Sequence, residues 1–106
     1  MLNNIGEWKI IVLETGDFRL DGGAMMGTVP KVLWEQTNPA DAVNRIDLSL
    51  RCFLLDNGSK QVLIETGMGN KFDEKFRSMF AIEQSSNPLS DTLSEYGYSC
   101  ENITDV

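Results

Sequence analysis

The chain's 106 residues are 42% hydrophobic and 24% charged, ordinary globular proportions that allow one small domain or part of a larger one, spanning residues 1–106, with a modest core. Sixteen acidic against nine basic residues give a formal charge of −7, which repels nucleic-acid phosphates and anionic lipid alike, so no nucleic acid and no membrane is expected as a partner. The absence of histidine removes Ser-His and Cys-His pairs, imidazole metal ligands and any ordinary side chain that titrates near neutrality.

No apolar run approaches the roughly 18 to 20 residues of a spanning helix. The opening "MLNNIGEWK" lacks the charged-then-apolar layout of a signal peptide, so a cytoplasmic location is expected. The first element is strand material from about Glu7 to Leu20. Ile10, Ile11, Val12 and Leu13 put apolar side chains on both faces, and Gly16-Asp17 reads as a break or tight turn. The following "DGGAMMGTVPKVLW", with three glycines between Asp21 and Gly27, reads as a shaped loop and not as a regular element.

"TNPADAVNRI" has the layout of a short helix start, with Asn38 as N-cap and Pro39 at the first helical position. A strand from Arg45 to Leu55 follows, in which Ile46, Leu48, Leu50, Cys52 and Leu54 alternate onto one face. Asn57-Gly58 is the strongest hairpin signal in the chain, since both residues tolerate positive φ, and "KQVLIET" is the returning antiparallel strand. Beyond "GMGN", Phe72, Phe76 and Met79 or Phe80 stand at helical spacing. A better marked helix has Asn87 as cap, Pro88 at its first position, a stripe of Leu89, Leu93 and Tyr96, and Gly97 as its stop. Ile103, Thr104 and Val106 then open like a strand that is cut short.

The two cysteines lack C-x-x-C spacing and read as plain thiols, Cys52 as a small buried hydrophobe. Carboxylates such as Asp41 and Asp73-Glu74 read as first-turn residues that complement helix dipoles. "GMGN" is too short for a phosphate-binding loop and lacks the Lys-Ser/Thr that such a loop carries.

Taken together and in order, "DGGAMMGTVPKVLW" with "NPADAVNRIDLSLRCFLL", then "VLIETGMGNKF", then "LSEYGYSCENITDV" resemble the N-terminal part of a metallo-β-lactamase-fold hydrolase of lactonase-like type. The resemblance covers about Trp8 to Val106. It implies an α+β fold, the first half of an αββα sandwich, with a mostly antiparallel or mixed sheet and short helices on one face. It also implies zinc-dependent cleavage of a lactone or ester-like bond in full-length relatives. Their zinc motif, His-x-His-x-Asp-His, would follow the strand that "ITDV" begins, so this chain is expected to hold no metal or other cofactor, to have no catalytic residue and to be inactive alone. A small-molecule substrate is expected only for a full-length protein.

One position departs from the family pattern. The turn after the second hairpin strand usually reads Asp-Thr-Gly, its aspartate supporting the metal site from behind the ligands. Glu65-Thr66-Gly67 stands there, and the added methylene displaces the carboxylate by about 1.5 Å. Glu65 and Thr66 are thus candidates for that supporting role, against the plainer reading of Glu65 as a strand-end carboxylate bonded to turn N–H groups. Met25, Met26 and Trp34 are candidates for an apolar substrate pocket, against packing of a glycine-rich turn. The competing functional class is a non-catalytic self-associating module, a homodimer joined through an uncovered sheet face, or a truncated gene product.

Overall fold

The computed structural model describes residues 4–106. It is an α+β structure whose strands β1 (Asn4–Ile5), β2 (Trp8–Asp21), β3 (Arg45–Asp56) and β4 (Gln61–Ile64) form one antiparallel sheet in the order β1-β2-β3-β4. Helices α1 (Gly22–Met26), α2 (Lys31–Trp34), α3 (Glu74–Met79) and α4 (Pro88–Glu95) are all short. Among the described residues no helix is long and apolar enough to cross a membrane.

The chain divides into two compact units, one of 4–16, Leu50–Lys71 and Gln84–Val106, the other of Asp17–Ser49 and Phe72–Glu83. The break or tight turn expected at Gly16-Asp17 does not form, because β2 runs through it, although the boundary between the units falls there.

In the first unit the core is Ile11, Leu13, Cys52, Leu54, Leu63 and Leu93, with Leu89, Tyr98 and Ile103 packed against it. Its origin is strand alternation. Ile11 and Leu13 on β2, Cys52 and Leu54 on β3, and Leu63 on β4 point one way, and Leu93 of α4 is buried with them. Leu13, Cys52, Leu54 and Leu93 are wholly buried, each large aliphatic contributing about 1.5–3 kcal/mol. Of the β3 row expected from alternation, Ile46, Cys52 and Leu54 are buried and Leu48 and Leu50 half-buried. Phe53 faces Ile64 across the β3–β4 pair on the opposite side of the sheet, and the two are 39% and 48% exposed.

The antiparallel β3–β4 hairpin is as expected, with Asp56 opposite Gln61. Its turn differs in detail. The loop is Asn57–Lys60, and of the Asn57-Gly58 pair only Gly58 takes positive φ, 92°. Asn57 shapes the turn with its side chain instead, its Oδ1 accepting from the N–H groups of Ser59 and Lys60. In α4, Pro88 stands at the first position and Gly97 ends the run at φ 84°. Asn87 makes no side-chain cap bond, and Tyr96 is half exposed, so the buried stripe is Pro88, Thr92 and Leu93.

After a 3-10 turn at Cys100–Asn102, Asp105 bridges Val62 in parallel, with Leu63 N–H donating to Asp105 O at 2.9 Å and Thr104 N–H to Gln61 O at 2.9 Å. The strand onset read from Ile103 to Val106 is this pairing along β4.

In the second unit the Asp21–Trp34 stretch is not an irregular loop, because it carries α1 and α2. The Asp21 carboxylate accepts from Ala24 N–H at 2.9 Å and caps α1, while Pro30 starts α2. The helix expected at Asn38-Pro39 does not form. There the Asp41 carboxylate takes the N–H groups of Val43 (3.0 Å) and Arg45 (2.8 Å), closing a turn before β3. Phe72, Phe76 and Phe80 stack in succession at 5.5 and 4.7 Å along α3, whose cap is Asp73.

Candidate functional site

The turn that leaves β4 is built on a polar spot in the first unit's core. Thr15 continues the buried row of Ile11 and Leu13 and is itself 5% exposed. Its hydroxyl donates to Leu50 O at 3.1 Å. Cys52 lies beside it, its thiol pushed up by burial, then by the Glu65 charge, and eased by a hydrogen bond with Thr15. Such a thiol is protonated and inert at neutral pH.

Over this pair the backbone turns away from β4 through Glu65 at φ 71° and Gly67 at φ 80°. A side chain on Gly67 would put its Cβ 3.4 Å from Thr15 Oγ1 and 3.9 Å from Cys52 Sγ, so the absence of one lets the turn sit directly on the core. Glu65 holds a left-handed conformation that costs a non-glycine residue about 1 kcal/mol or more. Its Oε1 accepts the Thr66 N–H at 2.8 Å, and both residues are exposed. The supporting candidates Glu65 and Thr66 are thus joined to each other by this bond, which is also the contact the strand-end reading expects. Further along, Gly69 O accepts from Gln84 Nε2 and Ser86 O from Asn70 Nδ2, tying the loop to the segment before α4.

Sequence reasoning missed Thr15. The signal was present, since a hydroxyl at the third place of an apolar alternation has to find a buried partner.

The second unit holds the pocket candidates. Trp34 is buried, its ring lying against Gly22 so closely that a Cβ there would be 2.4 Å from the Trp34 Cη2 atom. Met25 is 47% exposed and Met26 half-buried on α1. In the same unit Asp41 Oδ2 accepts from Arg45 Nε at 2.8 Å and Arg19 Nη1 at 3.2 Å, and Arg19 Nε pairs with Asp47 at 2.7 Å. Asp41 is held far below the usual carboxylate range, chiefly by the Arg45 N–H. A cavity of about 340 Å³ beside Arg19 is lined by Asp17, Phe18, Asp47, Ala81 and Glu83.

The described residues do not fit a catalytic metal. Among the described residues no group of three or more His, Cys, Asp or Glu is placed to hold an ion. Asp41 and Asp47, which share Arg19, are already paired with arginine.

No family model matches the chain, and no curated protein is significantly similar to it. Among solved structures it is similar to the crystal structure of a probable metal-dependent hydrolase from Staphylococcus aureus, at 31% sequence identity and a TM-score of 0.84. The similarity covers 94% of this chain and 36% of that one, so this chain spans about a third of the hydrolase it resembles.

Proposed function

We propose that this chain forms the N-terminal part of a metal-dependent hydrolase of metallo-β-lactamase type. The observation that carries the reading is the likeness to the Staphylococcus aureus protein over nearly all of this chain, in sequence as well as in backbone. The direction of the last residues agrees with it. Asp105 runs parallel to β4, so the backbone there heads along β4 toward Glu65, the residue that the resemblance sets next to a metal site.

In this reading the metal is zinc and the substrate a lactone or similar ester. The ligands in this reading lie outside the described residues, among which no group of three or more His, Cys, Asp or Glu is placed to hold an ion. Glu65 then contributes a carboxylate behind the site and the chain alone turns over nothing.

A chimera tests this. Residues 1–106 joined to the part of the Staphylococcus aureus hydrolase outside the similarity should fold, bind metal and hydrolyse the substrates of that parent, with activity lost to a chelator. A folded, metal-loaded chimera that hydrolyses none of them overturns the reading. The 106-residue chain alone should retain no stoichiometric zinc after dialysis, checked by elemental analysis.

A second reading is favoured by the exposure of Phe53 and Ile64 on the side of the sheet away from Leu93. Self-association through that side, as a homodimer, would cover them. Sedimentation at micromolar concentration tests it, with Phe53→Asp expected to leave a folded monomer. A wild-type monomer sinks it.

A further inference from the structure

The tip of the β3–β4 hairpin brings together the parts of a reaction that the chain can perform on itself. Asn57 is the one asparagine of the chain followed by glycine. The backbone nitrogen after an asparagine can add to the side-chain amide carbon, and a glycine at that place leaves the nitrogen sterically open. Here Asn57 Oδ1 accepts three hydrogen bonds, from Lys60 N–H at 2.7 Å, Ser59 N–H at 3.0 Å and the Ser59 hydroxyl at 3.1 Å. Three donors on one amide oxygen draw electrons from Cγ, and they already face the atom on which negative charge gathers when a nucleophile adds.

The nucleophile is oriented too. Gly58 N–H donates to Asp56 Oδ1 at 2.8 Å, so a carboxylate stands where the departing proton has to go. Gly58 is exposed, and a Cβ on it would meet nothing within 4 Å, so the loop has room to close on itself.

We infer that Asn57-Gly58 is a self-modification site, at which the folded hairpin promotes conversion of Asn57 to a succinimide and then to aspartate and isoaspartate. Gly58 N gives its proton to Asp56 and bonds to Asn57 Cγ. The Cγ–Nδ2 bond breaks, Asp56 returns the proton to the leaving nitrogen, and ammonia departs from a five-membered ring. Water then adds to one ring carbonyl. Opening at the Cγ–N bond gives aspartate, and opening on the main-chain side gives isoaspartate, with the backbone rerouted through the side-chain carbon. Either product places a new negative charge next to Asp56. Isoaspartate also lengthens the loop just before Gln61, whose carbonyl receives Thr104 N–H.

The test is to incubate the purified chain at neutral pH, folded and in urea, and to follow the tryptic peptide Cys52–Lys60 by mass and by isoaspartyl methyltransferase labelling. Asn57 is expected to convert faster in the folded chain than in the unfolded one, and faster than every other asparagine. Ser59→Ala removes one donor from Oδ1 and is expected to slow it by about two- to tenfold, the effect of one exposed hydrogen bond of ordinary strength. Conversion in the folded chain no faster than in urea, or no faster at Asn57 than elsewhere, overturns the inference. So does an unchanged rate in a folded Ser59→Ala chain.

Discussion

The Tyr98 hydroxyl donates to the Asp56 carboxylate at 2.6 Å, linking the residue after the α4 stop to the end of β3, 42 positions away in the chain. Asp56 also accepts from Gly58 N–H and Gln61 Nε2. The tyrosine holds Asp56 below its ordinary 3.8, and the carboxylate pushes Tyr98 up to about 12. Tyr98→Phe is expected to cost about 1 kcal/mol, below the usual range for a charge-assisted bond because the pair is partly exposed. The sign on each side differs. Asp56 has the lower pKa when folded, so its contribution is present above 3.8 and fades as pH falls through the folded value. Tyr98 has the higher pKa when folded, so its contribution is complete below 10.0 and fades as pH rises toward about 12. Urea titrations of the two proteins should differ by a constant amount at neutral pH and converge at both extremes.

Gly58→Val tests the hairpin turn. Its Cβ would meet no neighbour, so any loss comes from forcing a β-branched residue to φ 92°. We expect about 1 kcal/mol or more, and a smaller loss for Gly58→Asn, which tolerates that region. Equal denaturation midpoints for wild type and Gly58→Val would mean the turn is different.

Gly22→Ala tests α1 against α2. The added methyl would overlap the Trp34 ring, a case of overpacking that costs about 1–3 kcal/mol. Trp34 fluorescence should shift to the red as its ring is displaced, and Gly22→Ala with Trp34→Leu should recover part of the lost stability. Unchanged emission in the single variant would place the ring elsewhere.

Asp41→Asn tests the turn before β3. The amide cannot serve all four donors that Asp41 now accepts from Val43, Arg45 and Arg19. Arg45 also donates to Ser78 O and Met79 O at the end of α3. Faster hydrogen exchange is expected at the Val43 and Arg45 amides and in the last turn of α3, measured by NMR. In the wild type the same loss should appear only under strongly acid conditions, since the folded carboxyl is far more acidic than an ordinary one.

The strands were legible in the sequence because burial on one face of a sheet imposes a period of two, and β3 from Ile46 to Leu54 keeps it without a fault. The errors fall where a short side chain competes for backbone N–H groups. At Asn38-Pro39 a cap and a proline suggested a helix, yet Asp41 took the donors. At Asp21 the run of glycines concealed a cap that starts one. At the β4 end, the motif located Glu65 but carried no sign of its left-handed backbone. The turn it belongs to packs through Gly67 against Thr15 and Cys52, which come from distant parts of the chain.

The division of the chain into units has a consequence for how it is made. The second unit uses only residues between Asp17 and Glu83, whereas the first needs Gln84–Val106. Its long-range bonds include Thr92 to Glu14, 78 positions apart, and Thr104 to Gln61, 43 apart. Closing such loops is slow because ordering entropy is lost before contacts repay it. During synthesis the interior piece can therefore settle while Leu13, Cys52 and Leu54 still await Leu93. The β strands that emerge earliest are the last to have their core completed, and through that interval their apolar rows are what a chaperone would meet.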